Sequence, residues 1–133
     1  MTPFNLQIIT PDGFLFDDRA ESVIVRTTVG DKGILARHEP YSAALGIGKV
    51  KVTTNGKSRF AALSAGIITV GSDKTVILAQ SCEWGDEIDK KRAEIARNTA
   101  KERLSDPTLS ANEHAVAEFK LKRALNRLET VNR

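Results

Sequence analysis

The chain has 133 residues, 20 Lys and Arg against 17 Asp and Glu, and a net charge of +3. That length holds one compact domain or a small core with an appendage, and so slight a basic balance does not point to nucleic acid. With 41% hydrophobic residues the chain can build a core, which excludes wholesale disorder, and the single Cys82 excludes an internal disulfide framework.

No apolar run approaches the roughly 18–20 residues that span a bilayer. Met1-Thr2-Pro3-Phe4 opens neither a charged n-region nor a long apolar stretch. A soluble chain without a membrane span or secretory signal is therefore expected.

From the N-terminus the pattern is that of short strands. Phe4, Leu6 and Ile8 alternate with Asn5 and Gln7 until Thr10-Pro11-Asp12-Gly13 forms a turn. Phe14-Leu15-Phe16 is a short apolar run closed by Asp17-Asp18, which read as a solvated turn. Ser22 to Thr28 carries Val23-Ile24-Val25, and Gly30-Asp31-Lys32-Gly33 breaks it. Lys49 to Thr53 alternates strictly and meets Asn55-Gly56, a strong hairpin signal, with Arg59 to Leu63 as the returning strand. Ile67 to Val70 and Thr75 to Ala79 form a further hairpin around Gly71-Ser72-Asp73-Lys74. Turns at this spacing predict an antiparallel β-sandwich or barrel.

The composition changes at Gly85. Val, Ile and Thr number 23 in residues 1–85 and 7 in residues 86–133, and no glycine follows Gly85. β-Branched residues suit strands, and a glycine-free stretch rich in Ala, Glu, Lys, Arg and Leu suits helix. The expected organisation is thus a β-sandwich domain over 1–84 and a two-helix antiparallel hairpin over 85–133. Asp86 is placed to cap the first helix, with Asp89 at its third position. Ile88, Ile95, Ala96, Thr99, Ala100 and Leu104 follow its 3.6-residue period, and Ser105-Asp106-Pro107 ends it. Ser110 and Glu113 form a capping box for the second helix, whose stripe is Ala117, Leu121, Ala124, Leu125, Leu128 and Val131. Two such narrow stripes are marginal in isolation, so the hairpin needs the sandwich or a partner and can change shape. Trp84, at the hinge, is read as packing between the halves.

Catalytic signatures are missing from this pattern. Gly56-Lys57-Ser58 has Lys51 where a P-loop needs its first glycine, and it lies in a strand-to-strand hairpin. Gly46-Ile47-Gly48 has Lys51 where a dinucleotide fingerprint needs a third glycine. His38, His114 and Cys82 lack metal-ligand spacing. No nucleophile–base constellation can be assembled, so an enzyme acting alone is not expected.

The junction carries the specific signal. Thr75-Val76-Ile77-Leu78-Ala79, then Glu83, then Glu87-Ile88-Asp89-Lys90-Lys91-Arg92-Ala93 resembles the epsilon subunit of bacterial F-type ATP synthases. Thr10-Pro11-Asp12-Gly13, Gly33-Ile34-Leu35 with His38 and Pro40, Ser64-Ala65-Gly66 and Lys122 to Leu128 fall in the family's order and spacing. The resemblance implies a β-sandwich followed by a helical pair, in a non-catalytic subunit of the rotor's central stalk beside the gamma subunit and the c-ring. It implies coupling of ion translocation to ATP synthesis, and inhibition of ATP hydrolysis when the helices extend into the catalytic alpha/beta head. A peripheral place on the cytoplasmic side of the cell membrane follows from the same resemblance. No nucleic-acid partner is expected. A free-standing ATP-sensing module is the alternative.

The same resemblance supplies the site residues. Ile88-Asp89-x-x-Arg92-Ala93 is similar to the family's ATP-binding motif. It implies Glu83, Ile88, Asp89 and Ala93 around the adenine and Arg92 at the phosphates, with ATP, with or without Mg²⁺, as regulatory ligand. Arg123 and Arg127 match the second-helix arginines, and their i,i+4 spacing puts both on one helix face. The other reading has Asp89 capping the helix and Arg92 in a surface ion pair. Thr99 stands where ATP-binding relatives can carry a further arginine. Asp31, Lys32, Arg37 and His38 lie, by resemblance, in the sandwich loop that approaches the c-ring. Arg97, Lys101, Arg103, Lys120, Lys122, Arg123 and Arg127 are candidates to meet acidic segments of the head. The basic residues from Lys120 to Arg127 run without an intervening acid, as a local device for phosphates or acidic partners.

Overall fold

The computed structural model describes residues 2–131, in two compact units, Met1–Trp84 and Gly85–Arg133. The first is the expected sandwich, built of eight strands: β1 Phe4–Thr10, β2 Gly13–Ala20, β3 Ser22–Thr27, β4 Gly30–Leu35, β5 Tyr41–Leu45, β6 Gly48–Thr54, β7 Lys57–Val70 and β8 Thr75–Trp84. They hydrogen-bond in the order β2-β1-β8-β7-β5-β3-β4, with β6 against β3 and β7. Pairing is antiparallel except that β1 and β8 run parallel, Leu6 to Ile9 beside Thr75 to Leu78. The first and last strands of the unit meet there, and no hairpin joins them to impose opposite directions.

Local chemistry sets most of the turns. Thr10 Oγ1 accepts from the Asp12 N–H at 3.1 Å, and Gly13 follows at φ 116°, a conformation that favours glycine. Asn55 and Gly56 both have positive φ, 50° and 75°, as the turn of a two-residue hairpin requires. The expected break at Gly30–Gly33 is instead β4. The turn is spent at Thr28-Val29 with Gly30 at φ 123°, and Gly33 sits in register opposite Ile24. β5 was not foreshadowed by its Ser-Ala-Ala composition; it exists because β7 offers it an edge from Gly66 to Val70.

β7 departs most from expectation. The two strands anticipated at Arg59–Leu63 and Ile67–Val70 are one strand of 14 residues. Its first half pairs with β6 and its second with β5, while β8 follows its other edge from Ala61 to Val70. The register slips between Leu63 and Gly66, so Ser64-Ala65-Gly66 is a bulge that bends the strand and does not end it. The Ser81 hydroxyl donates to the Ser64 hydroxyl at 2.7 Å beneath this bend.

Side chains alternating inward from these strands form the core. Leu6, Ile8, Val23, Val25, Ile34, Ile68 and Ile77 are fully buried in one cluster. Trp84 is buried at its rim, edge-on to Phe16 at 6.2 Å and under the Arg59 guanidinium at 4.0 Å. Burial, with a smaller push from the Glu83 charge, raises the Cys82 thiol to about 12, so it is protonated and unreactive at neutral pH.

In the second unit a short 3₁₀ turn, Gly85–Glu87, precedes α1 (Lys90–Leu104) and α2 (Ala111–Val131). Asp86 does not cap α1, because Ile88 is buried in non-helical backbone and the helix begins only after it. Asp89 is the cap, extended at ψ 99°, accepting from the Arg92 N–H at 3.1 Å. The capping box of α2 is complete. The Ser110 hydroxyl accepts from the Glu113 N–H at 3.1 Å, and the Glu113 carboxylate accepts from the Ser110 N–H at 3.2 Å. Arg103 at the end of α1 pairs with Glu113 at 2.7 Å and ties the helices across their connection.

The helices meet on small residues. Ala93, Ala100, Ala117 and Ala124 are buried, each pair seven residues apart, with Thr130 fully buried beyond them. The Arg103–Glu113 pair marks the antiparallel register, in which Ala100 is level with Ala117 and Ala93 with Ala124. The expected stripe residues Ile95 and Leu125 are 57% and 44% exposed. Alanine at the seam lets the backbones approach; Leu104, Leu121 and Leu128 of the expected stripes are half-buried, and Ile95 and Leu125 are left outside. Four buried methyl groups contribute only about 3 kcal/mol together.

Replacing Gly66 by Ala drives the new Cβ into the Leu78 carbonyl oxygen and should destabilise the sandwich by about 2–3 kcal/mol in urea unfolding. Ser110→Ala should cost about 1 kcal/mol in thermal unfolding followed by circular dichroism. Hydrogen bonds from the Ser110 backbone and side chain, helped by the Arg103 charge, hold the Glu113 carboxyl below its ordinary range. Its stabilising effect is thus full above the ordinary glutamate value of about 4.3 and is lost as pH falls through the lower folded value. Glu113→Gln, which keeps a capping partner, should flatten that acid dependence of hairpin helicity.

Candidate functional site

The concave feature of the hairpin unit is a groove of about 780 Å³ along the α1–α2 seam. Its floor is alanine. Its rim carries Thr99 and Arg103 from α1 and Lys120, Arg123 and Arg127 from α2. On α2 the three cations fall at i, i+3 and i+7, which a 3.6-residue period places on one face. Phe119 lies 5.9 Å from the Arg123 guanidinium.

The residues tied to ATP are placed in three ways. Arg123 and Arg127 share the groove. Ile88, Asp89, Arg92 and Ala93 form the start of α1, outside the groove's lining; by the helix register Ala93 is level with Ala124 and Asp89 with Arg127. Ile88 and Ala93 are buried, Arg92 is exposed, and the Asp89 side chain is engaged as the cap. Glu83 belongs to β8 of the other unit, in register with Ala62.

The residues tied to the c-ring divide differently. Asp31 and Lys32 are in β4, not in a loop, since Gly30 to Leu35 pairs along β3. Asp31 is ion-paired with Arg26 at 2.6 Å. Lys32 and His38 converge on Tyr41, the ammonium 5.2 Å from its ring and the imidazole edge-on at 5.9 Å. His38 Nδ1 lies 2.7 Å from the Glu39 carbonyl oxygen, which fixes it as the donor nitrogen. Arg37, left-handed at φ 62°, lines with His38 a hollow of about 310 Å³ against Gly71 to Thr75.

Sequence reasoning missed a surface on the sandwich. Ala44, Ile67, Leu78, Ile9 and Phe14 are successive register partners across β5, β7, β8, β1 and β2. They make an apolar row four strand spacings, or about 19 Å, long. Ile67 and Leu78 are each 52% exposed and Phe14 is 60% exposed. The next row, Ser42, Thr69, Val76 and Gln7, is uncharged until it reaches Asp17 on β2, which accepts from the Gln7 amide at 3.3 Å. An exposed apolar row without charge is the character of a protein interface. The signal lay in the consecutive aliphatics Ile67-Ile68 and Ile77-Leu78, which supply both faces of a strand. Among the described residues no helix is long and apolar enough to cross a membrane, and no group of His, Cys, Asp and Glu is placed to hold a metal.

Two family models cover the chain end to end. "ATP synthase, Delta/Epsilon chain, beta-sandwich domain" matches residues 3–85, and "ATP synthase, Delta/Epsilon chain, long alpha-helix domain" matches residues 86–132. The chain belongs to the ATP synthase epsilon family. The ATP synthase epsilon chain of Ruminococcus albus is 40% identical over 134 residues, covering 100% of this chain and 99% of that one. That of Caldicellulosiruptor bescii is 38% identical over 129 residues, covering 97% and 93%. A chain in the Euglena gracilis mitochondrial ATP synthase superposes with TM-score 0.84 at 22% identity, over 100% of this chain and 83% of its own. One from the Tetrahymena thermophila central stalk and c-ring superposes with TM-score 0.64 at 11% identity, over 98% and 97%. These two likenesses concern the fold. Family membership makes the chain a non-catalytic subunit of a bacterial F-type ATP synthase, in keeping with the missing catalytic signatures.

Proposed function

We propose that the chain is a rotor subunit of the central stalk that couples ion translocation to ATP synthesis, and that its helical hairpin restrains ATP hydrolysis under the control of bound ATP. The observation that carries this reading is the alanine seam. The four seam alanines contribute only about 3 kcal/mol and the larger apolar side chains beside them are at most half-buried, so the pair is readily opened, and an element with two arrangements of similar free energy can be biased by a ligand. Opening it uncovers the alanine seam and joins it to the already exposed Ile95, Val116 and Leu125 and the cationic rim, an amphipathic surface suited to acidic segments of the alpha/beta head.

ATP favours the closed arrangement in this reading. Asp89, Arg92 and Ala93 on α1 and Arg123 and Arg127 on α2 are level with one another, so one nucleotide bridges both helices and adds its binding free energy to the seam. The sandwich serves as the anchor. Its uncharged apolar row suits the gamma subunit, and the Lys32–Tyr41–His38 cluster with Arg37 suits the polar loops of the c-ring. The subunit is then peripheral to the membrane, on its cytoplasmic side, through the complex.

Calorimetric titration of the chain with ATP should give a saturable heat that Arg92→Ala removes; no heat with the unaltered chain ends the nucleotide reading. In the assembled enzyme, converting Arg123 and Arg127 to Gln should raise ATP hydrolysis about fivefold, the consequence of losing ~1 kcal/mol of contact in the extended arrangement. Unchanged hydrolysis removes that pair from the inhibitory contact.

A further inference from the structure

We propose that the junction turn Gly85–Glu87 is a latch on the last turn of α2, and that the hairpin opens only when this contact releases. The inference rests on the two-arrangement reading of the hairpin and adds to it a second closing contact, outside the alanine seam. Its starting point is a residue buried where α1 does not reach. Thr130 is fully buried near the end of α2. Arg127 is level with Asp89, the cap of α1, so Thr130, three residues further on, lies past the start of α1. It also faces away from the seam. Six residues after Ala124, at 100° each, Thr130 stands about 120° round the helix from that seam residue. It shares instead the face of Arg127, three residues before it.

Within its own unit α2 packs against the turn Gly85–Glu87 as well as against α1. The turn comes just before Asp89 in the chain, so it reaches the level of Thr130, where α1 has not yet begun. Gly85 at its start and Ile88 just after it are both buried. The contact is one of fit. The Thr130 hydroxyl donates to the Asn126 carbonyl oxygen at 2.6 Å, inside its own helix, and so asks nothing of the turn. A short side chain whose polar group is satisfied lets the turn come close, and glycine on the other side adds no bulk. A longer side chain at position 130 would have to displace the turn. The latch thus supplements a seam that contributes little by itself. It lies one helical turn past Arg127, at the same end of the hairpin as the residues assigned to ATP.

The test is a distance measurement on the full chain. Nitroxide labels at Lys101→Cys and Lys122→Cys, exposed positions outside the groove, report the separation of the two helices by pulsed electron resonance. Cys82, buried and protonated, stays unlabelled. Thr130→Arg puts a longer side chain into the contact while replacing Thr by a better helix former. It should raise the open, long-distance population about tenfold, with the helices intact by far-UV circular dichroism. Thr130→Ser adds no bulk and should keep the distance of the unaltered chain. An unchanged distance in Thr130→Arg, with its helices intact, overturns the latch. If Thr130→Arg loses helicity, Thr130→Gln, neutral and also a good helix former, decides on the same criterion. Ala124→Glu, placed in the seam, separates the latch from the reading beneath it. Opening by Ala124→Glu but not by Thr130→Arg removes the latch and keeps a hairpin with two arrangements; opening by neither removes both.

Discussion

The close approach of β7 to β8 at Gly66 is the constraint on which the sandwich depends. A side chain there meets the Leu78 carbonyl oxygen, so glycine alone lets the two strands stay paired through the bulge. The bulge in turn lets one strand serve β6 with its first half and β5 with its second. Without that bend β7 would belong to a single flat sheet, and the inward faces that bury Leu6, Val23, Ile34 and Ile77 together would not oppose one another. The apolar row on the outside has the same origin. Ile67 and Leu78 face each other outward because the register resumes immediately after the bulge.

The hairpin follows the opposite logic. Its fully buried seam is made mainly of alanine, with Leu104, Leu121 and Leu128 only half-buried and Ile95 and Leu125 held outside it. The ends are specified more firmly than the middle: Asp89 caps α1, Ser110 and Glu113 cap α2, and Arg103 fastens one helix to the other. Strong caps with a weak seam suit an element whose helices persist while their contact is exchanged. The cations of α2 lie beside that seam, so any anion bound between the helices acts on the contact that holds them together.

Much of this organisation was legible beforehand. The change of composition at Gly85, the alternation in β1 and β6, the Asn55-Gly56 turn and the Ser110–Glu113 box are local signals, and each concerns residues a few positions apart. What escaped were features set by distant partners. β5 carries alanines with little strand preference and is ordered by β7, and Gly33 looked like a break because its cross-strand neighbour Ile24 was not visible. Asp86 and Asp89 were both plausible caps, and the burial of Ile88 chose between them. The identities of the candidate nucleotide residues came from the motif's resemblance to a known family; their arrangement level with Arg123 and Arg127 needed the helix register.

By itself the sequence determined the two-part architecture, the turn and cap chemistry, and the family, because these reside in composition, short-range hydrogen bonding and ordered motifs. Only the tertiary structure decided that Ser64-Ala65-Gly66 bends a strand without ending it, that alanine and not Ile95 or Leu125 forms the helix seam, and that an uncharged apolar row crosses five strands. The physical reason is the same in each case. A periodic pattern says that a residue is apolar, but which face is covered, and how closely, depends on backbones that meet from far apart in the chain. The net charge of +3 shows the same division. Its sum was uninformative, and its meaning came from the fold, which lines one groove with Arg103, Lys120, Arg123 and Arg127.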